Sequence, residues 1–149
     1  MELLDDYLSK PLFEEFKLAL TSSTCQWYWD EESGVYTHKI YENNAPMSDL
    51  YQMFDQVFRR RLNAKSWVSI RINAYGPGQI IPPEPVEGKY ITFFYFDTND
   101  GITSVSTEDG HESIEVKSNR VAEVETDEYT HTTYDEGPKR SLLLTLSYF

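Results

Sequence analysis

The chain has 149 residues, of which 40% are apolar and 26% are charged, a balance that is ordinary for one folded domain over residues 1–149. Thirteen Lys and Arg against 25 Asp and Glu leave a net charge of −12. Such a field repels phosphate backbones and anionic headgroups, so nucleic acid and membrane surfaces are poor partners.

Two further features bound the class of protein. The longest strongly apolar run, residues 90–96, is far shorter than the ~20 residues of a spanning helix, and the acidic start is atypical of a signal peptide. We therefore expect a soluble, cytoplasmic protein. Cys25 is the only cysteine, which excludes an internal disulfide and a zinc site built on several thiolates. Cys25 is expected to act as a small, half-buried apolar residue.

Two segments have the apolar spacing of amphipathic helices. The first is predicted over residues 9–21, with Ser9 as a candidate N-cap and Pro11 in the first turn. The second is predicted over residues 48–63, with Ser48 as its cap and three arginines in the last turn. Their apolar positions are Leu12, Phe13, Phe16 and Leu20 in the first, and Leu50, Met53, Phe54, Val57, Phe58 and Leu62 in the second.

The other segments alternate with a period of two, which is typical of strands. Residues 25–41 are predicted to form a hairpin or meander with a turn at Ser33-Gly34. Later strands are predicted at residues 66–75, 90–97, 102–107, 113–117, 121–124 and 141–149. Asp109-Gly110 suits a tight hairpin turn.

The run 90–96 is bulky on both alternate faces, which indicates a strand covered on both sides, with the two helices as one cover. The pattern predicts an α+β, mainly β domain whose antiparallel strands form a sandwich or jelly roll, with both helices outside one sheet.

Arg140 is the most informative charged residue, because its alternate neighbours in the last predicted strand are all apolar. If that face is the core, the guanidinium is inward and needs a carboxylate or a bound acidic ligand. The other interpretation places Arg140 at the mouth of the strand, in solvent beside Lys139.

His131 lies nine residues before Arg140 among several acidic residues, where an imidazole could hold a divalent cation or simply be a solvated loop residue. His38 and His111 are interpreted as structural or exposed. The sequence contains no glycine-rich phosphate loop, nucleophile elbow or His-x-x-x-His pair.

The second half of the chain resembles the prolyl-4-hydroxylase-like 2-oxoglutarate/Fe(II) oxygenases, and in particular short members common in marine phages. The residues that carry the resemblance are Phe93–Thr103, Asn119-Arg120-Val121, Thr130-His131-Thr132, Lys139-Arg140-Ser141-Leu142 and Thr145–Phe149. A weaker likeness extends to the aromatic segments Trp27–Trp29 and Tyr36–His38.

The resemblance implies a double-stranded β-helix in which a His-x-Asp pair and a distal His hold Fe(II), while an Arg or Lys further on binds 2-oxoglutarate. His131 and Arg140 match the last two roles. The expected His-x-Asp position is occupied by Pro83-Glu84-Pro85, so two of the three metal ligands are missing, and Glu84 is the nearest substitute.

Two functions therefore remain open. The first is an oxygenase-like protein with a degenerate metal site formed by His131 and Glu84, which would use Fe(II) and 2-oxoglutarate to hydroxylate an unknown substrate if it is active. The alternative is a non-catalytic jelly roll, without these cofactors, that serves as a binding or structural protein. A small acidic ligand on Arg140 is compatible with both.

Overall fold

A computed structural model describes residues 2–79, 84–85, 88–107, 110–125 and 129–149 of the chain. It has two helices, α1 (Lys10–Thr21) and α2 (Tyr51–Leu62). Twelve strands accompany them: β1 (Glu2–Leu4), β2 (Tyr28–Asp30), β3 (Val35–Glu42), β4 (Ala45–Pro46), β5 (Trp67–Tyr75), β6 (Glu84–Pro85), β7 (Tyr90–Tyr95), β8 (Gly101–Thr107), β9 (Gly110–Glu115), β10 (Arg120–Glu125), β11 (Tyr129–Tyr134) and β12 (Ser141–Tyr148).

Both helices lie within their predicted ranges. Pro11 occupies the first turn of α1. Backbone N–H groups in the first turn have no partner within the helix, so the lack of an N–H in proline costs no helical hydrogen bond. Helix α2 ends at Leu62, and the left-handed backbone of its C-cap Asn63 (φ 52°) terminates the helix. Ser48 lies before the helix rather than at its N-cap, which is Leu50, and the Ser48 hydroxyl instead accepts the Leu50 N–H at 3.1 Å. Each helix has 12 residues, too few to cross a bilayer.

The strands form two antiparallel sheets, as predicted. The major sheet has the order β1-β10-β7-β12-β5-β3-β2, with β4 added to β3, and the minor sheet has the order β6-β11-β8-β9. From β5 onward the chain passes repeatedly between the two sheets, which is the double-stranded β-helix that the resemblance implies.

Two apolar clusters hold these layers together. One lies between the helices and the outer face of the major sheet, where Phe16, Phe54 and Phe58 pack on Phe94 and Leu144. Half-buried Cys25 packs against this cluster, as predicted. The other cluster lies between the two sheets, in what we call the barrel interior. The two-sided burial predicted for residues 90–96 is confirmed, because Phe94 contributes to the first cluster and Phe93 and Tyr95 to the second.

The Asn119 side chain, at the start of β10, helps to attach the N-terminal residues to the major sheet. The Asn119 carboxamide accepts the Leu8 N–H at 3.0 Å and donates to the Leu8 carbonyl at 2.9 Å, while the Asn119 carbonyl accepts the Tyr7 N–H. Asn119 has a left-handed backbone (φ 63°), which asparagine tolerates better than most residues. Strand β1 thus forms the outer edge of the major sheet beside β10.

Four short or polar strands were not predicted: β1, β4, β6 and β11. Strand β11 is mostly threonine and tyrosine, and its described inward residues are Thr132 and Tyr134 rather than aliphatic side chains. Of the predicted turn Asp109-Gly110, Asp109 lies outside the described residues. Gly110 is the first residue of β9 and pairs with Thr107 of β8.

Candidate functional site

The barrel interior contains a chain of hydroxyl groups that joins the two sheets. The Tyr95 hydroxyl of β7 donates to the Thr103 hydroxyl of β8 at 2.6 Å, and Thr103 lies 2.9 Å from the Thr132 hydroxyl of β11. All three side chains are at most 4% exposed. Since a buried hydroxyl without a partner is unfavourable, this chain satisfies polar groups that the alternation of the strands directs inward.

A second polar chain lies on the major sheet. The Thr37 hydroxyl of β3 donates to the Asn73 carboxamide oxygen at 2.8 Å, and the Asn73 amide donates to the Tyr75 hydroxyl at 3.0 Å. Asn73 and Tyr75 are alternate residues of β5 and therefore share its inward face. The interior is therefore lined by amide and hydroxyl groups in addition to its apolar side chains.

Tyr134 differs from these residues because its hydroxyl is buried and has no hydrogen-bond partner in the described part of the chain. The residue is 1% exposed, and its ring lies 5.4 Å from that of Tyr75. Burial raises the pKa of Tyr134 well above its ordinary value, with the neighbouring phenols of Tyr75 and Tyr95 contributing. The Tyr134 hydroxyl is therefore a neutral hydrogen-bond donor, and no described residue accepts a hydrogen bond from it.

Arg140 does not enter this interior. It lies just before β12, is exposed, and places its guanidinium 5.4 Å from the centre of the Tyr36 ring. The inward position at this end of β12 belongs to Ser141, whose hydroxyl accepts the Asn99 N–H at 3.0 Å. Of the two interpretations of Arg140, the one that places it in solvent therefore agrees with the structure. The apolar face of β12 points to the helices and not to the barrel. Its role towards an acidic ligand stays a prediction.

The backbones of the two candidate metal ligands are brought onto neighbouring strands. Glu84 of β6 pairs with Thr130 of β11, one residue from His131, and His131 in turn pairs with Ser104 of β8. The side chains of Glu84 and His131 lie outside the described residues. The segment around His131, predicted as a solvated loop or a ligand-bearing segment, is a strand of the minor sheet.

The other two histidines have different environments. The Nδ1 of His38 lies 2.6 Å from the Gln26 carbonyl and its Nε2 2.7 Å from the Ser48 hydroxyl, so the ring joins β3 to the segment before α2. His111 is exposed on β9, 3.1 Å from the Ser106 hydroxyl. The structural interpretation of His38 and the exposed interpretation of His111 are both confirmed.

No three-ligand metal site lies among the side chains that the structure describes. The described residues contain no group of three His, Cys, Asp or Glu side chains that could hold a metal, and no carboxylate is among their buried polar residues. Both nitrogens of His38 are engaged in hydrogen bonds to other groups. The pair indicated by the sequence, His131 and Glu84, would supply two of the three protein ligands that such a centre uses.

The interior phenols and hydroxyls were not predicted from the sequence. The sequence pattern that could have indicated them is the alternation of residues along a strand. Asn73 and Tyr75 are alternate residues, and so are Thr132 and Tyr134. That period becomes informative only when the face that points into the barrel is known.

No protein-family model matches the sequence, and no curated protein matches it. Solved structures do match the fold. A Pseudomonas putida prolyl-4-hydroxylase superposes with a TM-score of 0.67 at 14% identity, covering 99% of this chain and 91% of that one. A Burkholderia pseudomallei oxidoreductase of the 2OG-Fe(II) oxygenase family gives 0.68 at 8% identity, covering 98% and 83%.

A third structure of similar extent is Drosophila melanogaster CENP-C bound to CAL1, with a TM-score of 0.56 at 9% identity, covering 93% of this chain and 95% of that one. Identities this low establish a common fold and not a common activity. The chain therefore has the double-stranded β-helix fold that prolyl-4-hydroxylase and 2OG-Fe(II) oxygenase family structures share.

Proposed function

We propose that the protein is a non-hydroxylating relative of the 2-oxoglutarate/Fe(II) oxygenases that binds a small carbonyl- or carboxyl-bearing molecule in its barrel without a metal. The observation that carries this proposal is the Tyr134 hydroxyl, a fully buried donor with no acceptor among the described residues. A ligand oxygen that accepts this hydrogen bond would satisfy it.

The surrounding groups define the chemistry of the ligand. Burial raises the pKa of Tyr95 and of Tyr134, so both phenols stay protonated and uncharged at neutral pH. No cation is among the buried polar residues of the described chain. Because an uncompensated buried charge is strongly unfavourable, the group that contacts Tyr134 is a carbonyl or a protonated carboxyl, with any second charge at the barrel mouth.

An iron-dependent oxygenase is the second candidate, and one observation favours it. The register of β6 and β11 places Glu84 and His131 within one residue of each other across two paired strands. A carboxylate and an imidazole there are two ligands of the type that Fe(II) takes. The short phage-encoded members that the sequence resembles would then be its nearest functional counterparts.

One titration distinguishes the two functions. Under anaerobic conditions, 2-oxoglutarate is added with and without Fe(II), and the melting temperature and the visible charge-transfer absorption are followed. We expect 2-oxoglutarate alone to raise the melting temperature by mass action, Fe(II) to add nothing, and Tyr134→Phe to abolish the shift.

The opposite outcome identifies the oxygenase. A charge-transfer band that requires Fe(II), release of succinate in air, and loss of both in His131→Ala and Glu84→Gln would replace the binding function with the catalytic one. No melting shift under either condition, at millimolar 2-oxoglutarate, would reject barrel binding of this ligand class.

A further inference from the structure

Two adjoining clefts lie at the far edge of the major sheet. One, of about 530 Å³, lies beside β2, and the other, of about 540 Å³, lies beside residues 46–50, which lead into α2. Gln26, His38 and Met47 line both clefts. Because they share these walls, the two clefts form one longer groove, which we call the edge groove.

Large apolar side chains of the edge groove are exposed to solvent. Tyr28 is 63% exposed, Trp29 55%, and Met47, at the junction of the two clefts, 54%. Trp29 packs edge-on against Tyr36 with ring centres 5.1 Å apart, and the Tyr28 hydroxyl donates to the Gln26 carboxamide oxygen at 2.7 Å. Soluble proteins rarely leave several large apolar side chains together in water unless the surface binds something.

The charged side chains of the edge groove are mostly acidic. Asp30 and Glu31 line the part beside β2, and Asp49 lines the part before α2. Lys39 is the one Lys or Arg among the described lining residues, and its ammonium already binds the Glu42 carboxylate at 2.9 Å. Such a groove, in a chain of net charge −12, attracts cationic groups.

We propose that the edge groove binds an extended, basic segment of a partner protein, whose Lys or Arg side chains contact Trp29 and pair with Glu31 and Asp49. Aromatic faces and carboxylates both attract ammonium and guanidinium groups. Strand β2 has β3 as its only partner among the described strands, so its outer edge is open to the backbone of an extended chain. Binding here does not depend on a ligand at Tyr134, which lies in the barrel interior.

A second copy of the chain fits the edge groove less well. Pairing of two grooves about a two-fold axis would bring Asp30, Glu31 and Asp49 of one copy close to the same carboxylates of the other. Each copy already has a net charge of −12, so this approach is repulsive. The same charges oppose an acidic peptide and favour a basic one.

The test selects peptides on the whole protein from a displayed library of random linear octapeptides. The recovered peptides are synthesised and titrated by calorimetry at physiological ionic strength. We expect them to be enriched in Lys and Arg, and to lose at least tenfold in affinity for Glu31→Lys or Trp29→Ala. Glu112→Lys, the same reversal of charge at an exposed position of β9, should alter affinity less than twofold.

Glu31 suits this test better than its neighbour. It is exposed, and its carboxylate has no hydrogen bond or ion pair with another described residue. The Asp30 carboxylate, in contrast, accepts the Glu32 N–H at 3.0 Å and so helps to form the turn after β2. Should Trp29→Ala fail to fold, Glu31→Lys alone decides the outcome.

Two controls complete the experiment. Raising the salt concentration should weaken binding to the wild type, because exposed charges are screened, and Tyr134→Phe should bind the peptides normally. Recovery of no peptide, or of peptides without basic residues, would overturn the proposal. So would binding that Glu31→Lys leaves unchanged or that Tyr134→Phe abolishes. A concentration-dependent dimer that Trp29→Ala dissociates would also overturn it, since the groove would then belong to a second copy.

Discussion

Two polar side chains near the core differ in whether the described residues satisfy their hydrogen bonds. The Asp55 carboxylate accepts hydrogen bonds from the Trp67 indole at 2.7 Å and from the Arg59 guanidinium at 2.6 Å. The Tyr134 hydroxyl has no such partner among the described residues. The first arrangement ties α2 to β5 and is complete within the protein, whereas the second has no acceptor in the described part of the chain.

Asp55→Asn should destabilise the protein by about 1–2 kcal/mol at neutral pH, since it weakens hydrogen bonds to a charged acceptor. Burial alone would raise the pKa of Asp55, but the hydrogen bonds from Trp67 and Arg59 outweigh it and lower that pKa below 3.8. The contribution is therefore present above pH 3.8 and is lost as the pH falls through the lowered folded value. Urea unfolding of both proteins between pH 2 and pH 7 measures this, with exposed Asp49→Asn as the control.

Tyr134→Phe should leave stability unchanged or raise it by up to about 1 kcal/mol, because it removes a buried donor for which the described residues provide no acceptor. Tyr95→Phe should instead destabilise by about 1 kcal/mol, because it breaks the bond to Thr103. Thermal unfolding of the two variants without added ligand gives the comparison. Equal destabilisation by both would show that the Tyr134 hydroxyl already has a partner.

At the scale of elements, the helices are held by contacts between aromatic rings. Phe16 and Phe54 join α1 to α2 with ring centres 4.9 Å apart, and Phe58 continues the contact to Phe94 of β7 at 5.7 Å. Phe54→Ala and Phe94→Ala should each destabilise by roughly 3–5 kcal/mol, and Leu146→Ala by roughly 2–5 kcal/mol. Chemical denaturation measures these losses, and exposed Leu18→Ala should have almost no effect.

Strand β1 carries a charge conflict with β10. Glu2 and Glu123 are directly opposite each other in the pairing, and burial, then Glu2, raises the pKa of Glu123 above 4.5. Ionisation of Glu123 therefore opposes folding, and stability declines as the pH rises from 4.5 through the raised folded value. Glu123→Gln should increase stability at pH 7 by the order of 0.5 kcal/mol after solvent screening and flatten this decline. Exposed Glu112→Gln, titrated in parallel, should do neither.

Elements with strong apolar periodicity were predictable from the sequence, and those without it were not. Helix α2 and strand β7 were predicted because their apolar faces are long and regular. Strand β11 was missed because its inward residues are hydroxyl-bearing, and β1 because three exposed residues carry no burial pattern. The orientation of Arg140 was undetermined for a related reason. Alternation identifies one apolar face of β12, but it cannot say whether that face meets the barrel interior or the helices.

At the scale of the whole molecule, the two sheets differ in how well their backbone amides are protected from solvent. Strand β12 is paired on both sides, with β5 and β7, and lies beneath the helices, whereas β9 is an edge strand of the minor sheet with five of its six residues exposed. Amide hydrogen exchange followed by NMR should therefore show β12 exchanging only through global unfolding and β9 exchanging much faster. Equal protection of the two strands would contradict this two-layer description.

The candidate site depends on the whole molecule, because five strands from both sheets contribute to it: β3, β5, β7, β8 and β11. A resemblance in the linear sequence could indicate the fold and the positions of His131 and Glu84, which the topology brings onto paired strands. It could not indicate the polar interior, which exists only after both sheets have closed.

The attachment of the N-terminal residues through Asn119 has a consequence for biosynthesis. Leu8 and its hydrogen-bond partner are 111 positions apart, so β1 has no place to dock until β10 has left the ribosome. At about 5–20 residues per second, that interval is of the order of 5–20 s. During translation Tyr7 and the apolar face of α1 are therefore without the β7–β10 surface they cover, and they expose apolar side chains of the kind that chaperones bind.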